Sequence, residues 1–279
     1  MIPETLTLPY PLYDTCYPLL RKSTPMHADN FVLNDYLKRI NYTGTPQADL
    51  ATLRDLMHQQ LLTVPFENLD VQAGKIVSLV PEDIVAKIVY QPRGGYCYEV
   101  NGLFAMALAA LGIPYQFANA RPLYYPVKRP KSHLVIIATL AGEQWLCDLG
   151  FGSYGIREPM SLGVLDSDVR QSFDTFRLSK LNERDYQLEA LVEGEWAKQY
   201  SFDLYEPEWI DFAPANYMNS THPDAIFVKK PLIVLHNTAG RKILFGNTLT
   251  IITQDSVTRQ EVNSSNYPAL LQTHFGLVG

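Results

Sequence analysis

The sequence predicts an α+β protein built of three successive parts, and three patterns lead to that reading. Up to about residue 112, apolar residues recur at helical spacing. From 115 to 203 the pattern shifts to period two, broken by short polar or Gly-containing loops. After 206, helical and strand patterns mix. The expected organisation is an N-terminal extension over 1–28, a helical unit over 29–112, a β-rich unit over 113–205 and a small α/β unit over 206–279.

The elements follow in order. Residues 1–25 hold five prolines and little periodicity, so they read as irregular. Asp29 or Asn30 can cap a helix running to Ile40, with Phe31, Leu33, Tyr36, Leu37 and Ile40 apolar. A turn at 42–46 leads to a second helix over 47–62, and Pro65 closes it. Pro81 suits the first position of a third helix reaching about Tyr90. A fourth opens near Cys97 and runs to Leu111, where Gly112 and Pro114 stop it. Strands are expected at 115–124, 133–140, 143–149, 171–179, 185–192 and 195–203, forming a barrel or a strongly curled sheet. A helix over 206–219, strands at 226–236, 242–246 and 248–253, and a helix over 264–275 complete the chain.

Composition narrows the function. With 279 residues, 47% apolar and 19% charged, the chain has ordinary globular character. A net charge of −6 and the lack of a Lys/Arg run argue against a nucleic-acid binder. No apolar run approaches the roughly 18 residues of a membrane span. The first residues lack the cationic start and apolar stretch of a signal peptide. Three distant cysteines make no disulfide framework, so a cytoplasmic chain with free thiols is expected. The six histidines are scattered without ligand spacing, so no metal is expected. No Gly-rich phosphate loop is present.

The densest chemistry lies in Arg93-Gly94-Gly95-Tyr96-Cys97-Tyr98-Glu99-Val100-Asn101. It puts a thiol at a helix start with an arginine nearby, and both features favour thiolate. Glu99 suits the first helical turn and can bond Arg93, and Arg93 can hold the loop through hydrogen bonds as well as tune the thiol. A cysteine nucleophile needs a base, and the base needs an orienting group. If Ala141 and Gly142 form a two-residue hairpin turn, Leu140 faces Glu143, and His133 and Asp148 become diagonal neighbours on one face. A three-residue loop would break that parity. Cys147 then points to the other face and, like Cys16, reads as a structural thiol. This register does not bring Cys97 to His133; docking of the helical unit on the sheet must do so.

The whole set resembles the arylamine N-acetyltransferase family. The segment from Arg93 to Phe104 is similar to its active-site signature. Tyr36-Leu37 with Arg39-Ile40, Thr43-Gly44, His58 with Pro65-Phe66-Glu67-Asn68-Leu69, His133, Asp148-Leu149-Gly150-Phe151-Gly152, and Asn216 with Ser220-Thr221-His222-Pro223 and Phe227 agree in order. The resemblance implies a three-domain, cysteine-protease-like architecture: helical bundle, β-barrel and α/β lid. It implies a Cys97–His133–Asp148 triad and ping-pong acetyl transfer from acetyl-CoA, a co-substrate and not a bound cofactor, to an aromatic amine or hydrazine. Phe66 and Phe151 correspond to positions lining the acceptor pocket. Gly150, Gly152, Arg129 and Thr221 are the expected CoA contacts, with Lys128, Arg129 and Lys131 available to phosphates. The chain carries about thirty residues before the first motif and is shorter after Pro223 than the family pattern.

Other functions use the same residues. An amide synthase acting on a carrier-bound acyl chain keeps the triad. A papain- or transglutaminase-like hydrolase resolves the thioester with water or a lysine amine. A binding protein that only retains the fold would have no use for an intact Cys/His/Asp set.

Overall fold

The computed structural model describes residues 25–152, 154–263 and 265–278. Most of the N-terminal extension, including Cys16, lies outside the described residues. Its last part packs inward: Met26 is buried and its N–H donates to the Tyr115 hydroxyl at 2.8 Å.

The helical unit contains α1 (Leu33–Arg39), α2 (Leu50–Thr63), a two-residue strand β1 (Phe66–Glu67), α3 (Leu69–Gln72), α4 (Pro81–Ile88) and α5 (Cys97–Ala110). Asp49 caps α2 by accepting the Thr52 N–H at 2.8 Å, and Pro81 opens α4. Helix α5 is buried along its length from Cys97 to Leu108, as its apolar, Ala-rich sequence requires. Leu111 caps its C-terminus, and Gly112 follows at φ +68°.

Next come β2 (Tyr115–Pro122), β3 (His133–Leu140), β4 (Glu143–Cys147), β5 (Met160–Ser161), β6 (Val169–Gln171), β7 (Asp174–Lys180), β8 (Asp185–Val192) and β9 (Glu195–Asp203). They form one antiparallel sheet in the order β5-β4-β3-β2-β9-β8-β7-β6, curled as a half-barrel. The β3–β4 turn has the expected register, with Leu140 opposite Glu143. Ala141 at φ 51° and Gly142 at φ 83° have the two positive φ values of a type I′ turn, whose twist matches the strands.

The C-terminal part holds a 3₁₀ turn (Trp209–Phe212), α6 (Ala213–Thr221), α7 (Ile226–Lys229), β10 (Leu232–Asn237), β11 (Gly240–Phe245), β12 (Thr248–Thr253), β13 (Val257–Glu261) and α8 (Tyr267–Phe275). Two expectations are corrected here. The strand expected from 226 begins as helix α7, and Pro231 separates that turn from β10. The helix expected from 206 starts later, because Pro207 restricts the residue before it to extended backbone. The segments β1, α3, β5, β6 and β13 were not predicted; four of them hold only two to four residues, too few for periodicity to register. The five-stranded sheet runs β1-β10-β11-β12-β13, so Phe66–Glu67 of the helical segment forms its edge. Asn68 ties the same junction, donating to the carbonyls of Phe227 (2.7 Å) and Lys230 (2.9 Å) and accepting the Leu232 N–H at 2.7 Å.

One large apolar core joins the helices to the eight-stranded sheet. A smaller core, including Ile233, Leu244, Leu249, Leu271 and Phe275, lies between the five-stranded sheet and α8.

Candidate active site

The start of α5 is built tightly. Gly95 N–H donates to the Pro65 carbonyl at 3.2 Å, and Glu67 N–H donates to the Gly95 carbonyl at 3.0 Å. A Cβ on Gly94 would stand 1.9 Å from the Pro65 oxygen, so only glycine fits there. Glu99 Oε2 accepts the Tyr96 N–H at 2.9 Å, which satisfies one free donor at the helix N-terminus. Its other oxygen lies 2.7 Å from Lys87 Nζ. Burial raises the Glu99 carboxyl to about 7 against the pull of Lys87.

Of the two roles read for Arg93, the structure fits the one of holding the loop. Its guanidinium reaches Glu67 Oε1 at 2.8 Å and Asp70 Oδ1 at 3.3 Å, and it does not line the thiol cavity. Glu99 therefore pairs with Lys87 rather than Arg93. The arginine holds the loop; it does not face the sulfur.

His133 opens β3, and Asp148 directly follows β4. The expected diagonal contact forms: His133 Nε2 lies 2.8 Å from Asp148 Oδ2. This leaves Nδ1 as the ring nitrogen free to exchange a proton elsewhere. Asp148 Oδ1 accepts the Gly150 N–H at 2.9 Å and an Asn101 amide N–H at 3.2 Å. Asn101 also donates to the Leu134 carbonyl at 2.8 Å and accepts the Leu149 N–H at 2.9 Å. It thus fastens α5 to β3 and to the Asp148 loop. At Gly150 an added Cβ would stand 2.5 Å from the Cys97 Cα, so the loop and the start of α5 are in direct contact.

A narrow cavity of about 60 Å³ is lined by both Cys97 and His133. Its walls include Phe66, Tyr124, Phe151 and Phe227, and Gly150 and Arg129 lie on it. The Phe151 ring stands 5.2 Å from the His133 ring and 5.7 Å from Tyr124, in edge-to-face contacts. Arg129 stacks 4.7 Å over Tyr125. Gly152, at φ +94°, sits behind Phe66, with its Cβ position 3.9 Å from that ring. Thr221 is outside the lining; its hydroxyl donates to the Tyr217 carbonyl at 2.7 Å, while the neighbouring His222 does line the cavity. Lys131 is engaged in an ion pair with Asp203, and Lys128 is exposed.

Burial, then the Asp148 carboxylate, pushes the Cys97 thiol up, and the backbone N–H groups of Leu134 and Tyr98 only partly offset this. Arg129, His133 and His222 are the basic residues that line the cavity with Cys97. Cys147 is buried on β4, with its sulfur 3.8 Å from the Trp145 carbonyl. It does not line the thiol cavity.

Sequence reasoning assigned no role to Asn101 or Tyr200. Asn101 lies four residues after Cys97, on the same helix face, and that spacing was a usable signal. The Tyr200 ring lies tilted against His133 at 5.3 Å and against Phe151 at 4.8 Å. Burial and then the Asp148 carboxylate raise its phenol well above the usual value. Only the pairing of β9 with β2 brings it there, and nothing local in the sequence announces it.

Known proteins share this fold. The chain matches the N-acetyltransferase family over residues 49–278. It is 31% identical to the arylamine N-acetyltransferase of Escherichia coli (strain K12) over 218 residues, covering 77% of each chain. It is 31% identical to human arylamine N-acetyltransferase 1 over 236 residues, covering 77% of this chain and 81% of the relative. The crystal structure of the Nocardia farcinica arylamine N-acetyltransferase superposes with a TM-score of 0.84 at 30% identity, covering 91% and 92% of the two chains. The Mycobacterium marinum enzyme in complex with CoA superposes at 0.82 and 29% identity, covering 88% and 92%. These matches and the α+β fold define an acyltransferase. The chain belongs to the arylamine N-acetyltransferase family.

Proposed function

We propose that this enzyme moves an acetyl group from acetyl-CoA to the nitrogen of an aromatic amine or hydrazine through a thioester on Cys97, in a ping-pong sequence. The observation that carries this reading is the single cavity onto which Cys97 and His133 both open, with Asp148 hydrogen-bonded behind the imidazole.

His133 takes the Cys97 proton as sulfur attacks the acetyl carbonyl, and Asp148 stabilises the imidazolium that forms. Backbone N–H groups beside Cys97 hold the oxyanion, a role in which one donor is typically worth ~10²–10³ in rate. The CoA sulfur leaves and takes the proton back from His133. In the second half-reaction the amine attacks the thioester, His133 accepts its proton, and the Cys97 sulfur departs. Phe66 and Phe151 offer faces and edges for an aryl ring. Arg129 and Gly150, both on the cavity, are the candidates for CoA contact; Gly152 supports Phe66 from behind, and Thr221 has no place on the lining. Three distant cysteines without a pairing pattern favour a cytoplasmic setting.

The test is an intact mass after incubation with acetyl-CoA and no acceptor. An adduct of about 42 Da that is lost in Cys97→Ala, and discharged by an aromatic amine, is the expected result for a covalent acyl-enzyme. Loading only from a carrier-bound acyl chain would replace this reading with an amide synthase.

A further inference from the structure

Cys97 is flanked by two buried tyrosines, Tyr96 and Tyr98, that lie off the thiol cavity. Their rings meet edge to face at 5.5 Å. Their hydroxyls go to different partners. That of Tyr96 reaches α6, where Asn216 Oδ1 accepts it and the Ser220 hydroxyl lies 3.2 Å away. That of Tyr98 donates to the Ser132 carbonyl at 3.1 Å. The same carbonyl accepts a side-chain N–H of Asn219, again from α6, at 3.0 Å. Asn216, Asn219 and Ser220 are spaced i, i+3, i+4, so one buried face of α6 makes all these contacts.

Two donors on one oxygen matter because of where that oxygen sits. The Ser132 carbonyl belongs to the planar peptide that leads into His133, so fixing it fixes the plane from which the imidazole departs. The far end of the ring is held by Asp148 at 2.8 Å. The imidazole is thereby anchored at its root and at its tip. The root anchor comes from the helix that carries the nucleophile, since Tyr98 directly follows Cys97. One residue beyond His133, the Leu134 carbonyl accepts the Asn101 amide of the same helix at 2.8 Å. The Tyr98 ring is itself confined, with Phe212 packed on it at 5.7 Å. Ser132 and Asn219 line the thiol cavity, whereas Tyr98 acts only through the carbonyl.

We propose that Tyr98 and Asn219 are positioning residues for acyl transfer: through the Ser132 carbonyl they set the His133 imidazole against the Cys97 sulfur, and they make that setting depend on α6. This rests on the triad under Proposed function.

The experiment follows acetylation of Cys97 by acetyl-CoA, read by mass, in the full chain and in Tyr98→Phe, Asn219→Leu and the double variant. Each single change leaves the carbonyl one donor, and the maximal rate should fall ~2–5-fold, as for one net hydrogen bond. The double variant frees the carbonyl, and a shift of the imidazole by ~1 Å lowers the rate ~10²-fold, more than the product of the singles. The half-saturating acetyl-CoA concentration should be unchanged. Alkylation of Cys97 by iodoacetamide should slow in the double variant at neutral pH and recover as pH rises, because hydroxide then ionises the thiol without help from the imidazole. A role in packing alone would lower the melting temperature and leave that pH dependence in place. A double variant no slower than the product of the singles, a change confined to the half-saturating concentration, or alkylation with the parent's pH dependence overturns the proposal. If the double variant does not fold, Tyr98→Phe alone decides: a slower maximal rate supports the proposal, and the parent's rate overturns it. A parent that is not acetylated on Cys97 overturns the triad as well.

Discussion

Gly150→Ala tests how closely the Asp148 loop approaches the thiol. The added Cβ would stand 2.5 Å from the Cys97 Cα, and 3.0 Å from both the Cys97 Cβ and a Val100 methyl. Carbon atoms settle at ~3.5–4.0 Å, so α5 and the loop must part by ~1 Å. The loop carries Asp148, whose bond to His133 is 2.8 Å long, and the Gly150 N–H that supports the same carboxylate. That displacement takes the imidazole's partner out of hydrogen-bond range. Overpacking of this kind costs ~1–3 kcal/mol, and a chain of this size loses ~2–4 °C of melting temperature per kcal/mol. A misplacement of ~1 Å in a catalytic group lowers the rate ~10²-fold. The assays are a thermal melt and the rate of Cys97 acetylation by acetyl-CoA, read by mass. Gly150→Ala with the parent's melting temperature and acetylation rate would refute the close contact and the argument built on it.

Other changes probe neighbouring groups. Asp148→Asn keeps the shape but loses the charge that orients His133, and turnover should fall ~10²–10⁴-fold; alkylation of Cys97 should slow at neutral pH, and unchanged alkylation would remove Asp148 from the proposed triad. Glu99 has a folded-state pKa of about 7 against an ordinary 4.5, so the folded chain holds the extra proton between those values. Its contribution to stability is therefore full below about pH 4.5 and fades as pH rises toward 7. Glu99→Gln should flatten that part of the stability–pH curve in denaturant titrations, and an unaltered curve would contradict the burial argument. Phe151→Ala should raise the KM for an aryl amine ~2–10-fold through lost ring contact. A weaker response from an aliphatic amine is expected, and equal responses would argue that the ring does not meet the acceptor.

The sequence and the structure agree wherever chemistry is carried by short spans. The Ala141-Gly142 turn sets the β3–β4 register, and side chains alternate across a strand, so the His133–Asp148 contact could be worked out from fifteen residues of separation. Helix α5 was visible in its apolar run and in the Gly112 and Pro114 that end it. Charge partners were another matter. Arg93 could be read as tuning the sulfur or as holding the loop, and Glu99 as bonding Arg93; the fold gives Arg93 to Glu67 and Glu99 to Lys87.

Local periodicity and turn chemistry were enough to determine the α+β class, the longer helices and strands in order, and the His133–Asp148 contact, because those follow from backbone sterics and side-chain alternation over a few residues. Tertiary packing alone decided that Cys97 and His133 line one cavity, that Phe66–Glu67 becomes the edge of the C-terminal sheet, and that Glu99 pairs with Lys87. Burial and long-range ion pairing depend on which surfaces dock. The free energy of docking comes from whole cores, such as the large one joining the helices to the half-barrel, and no local window of residues encodes it.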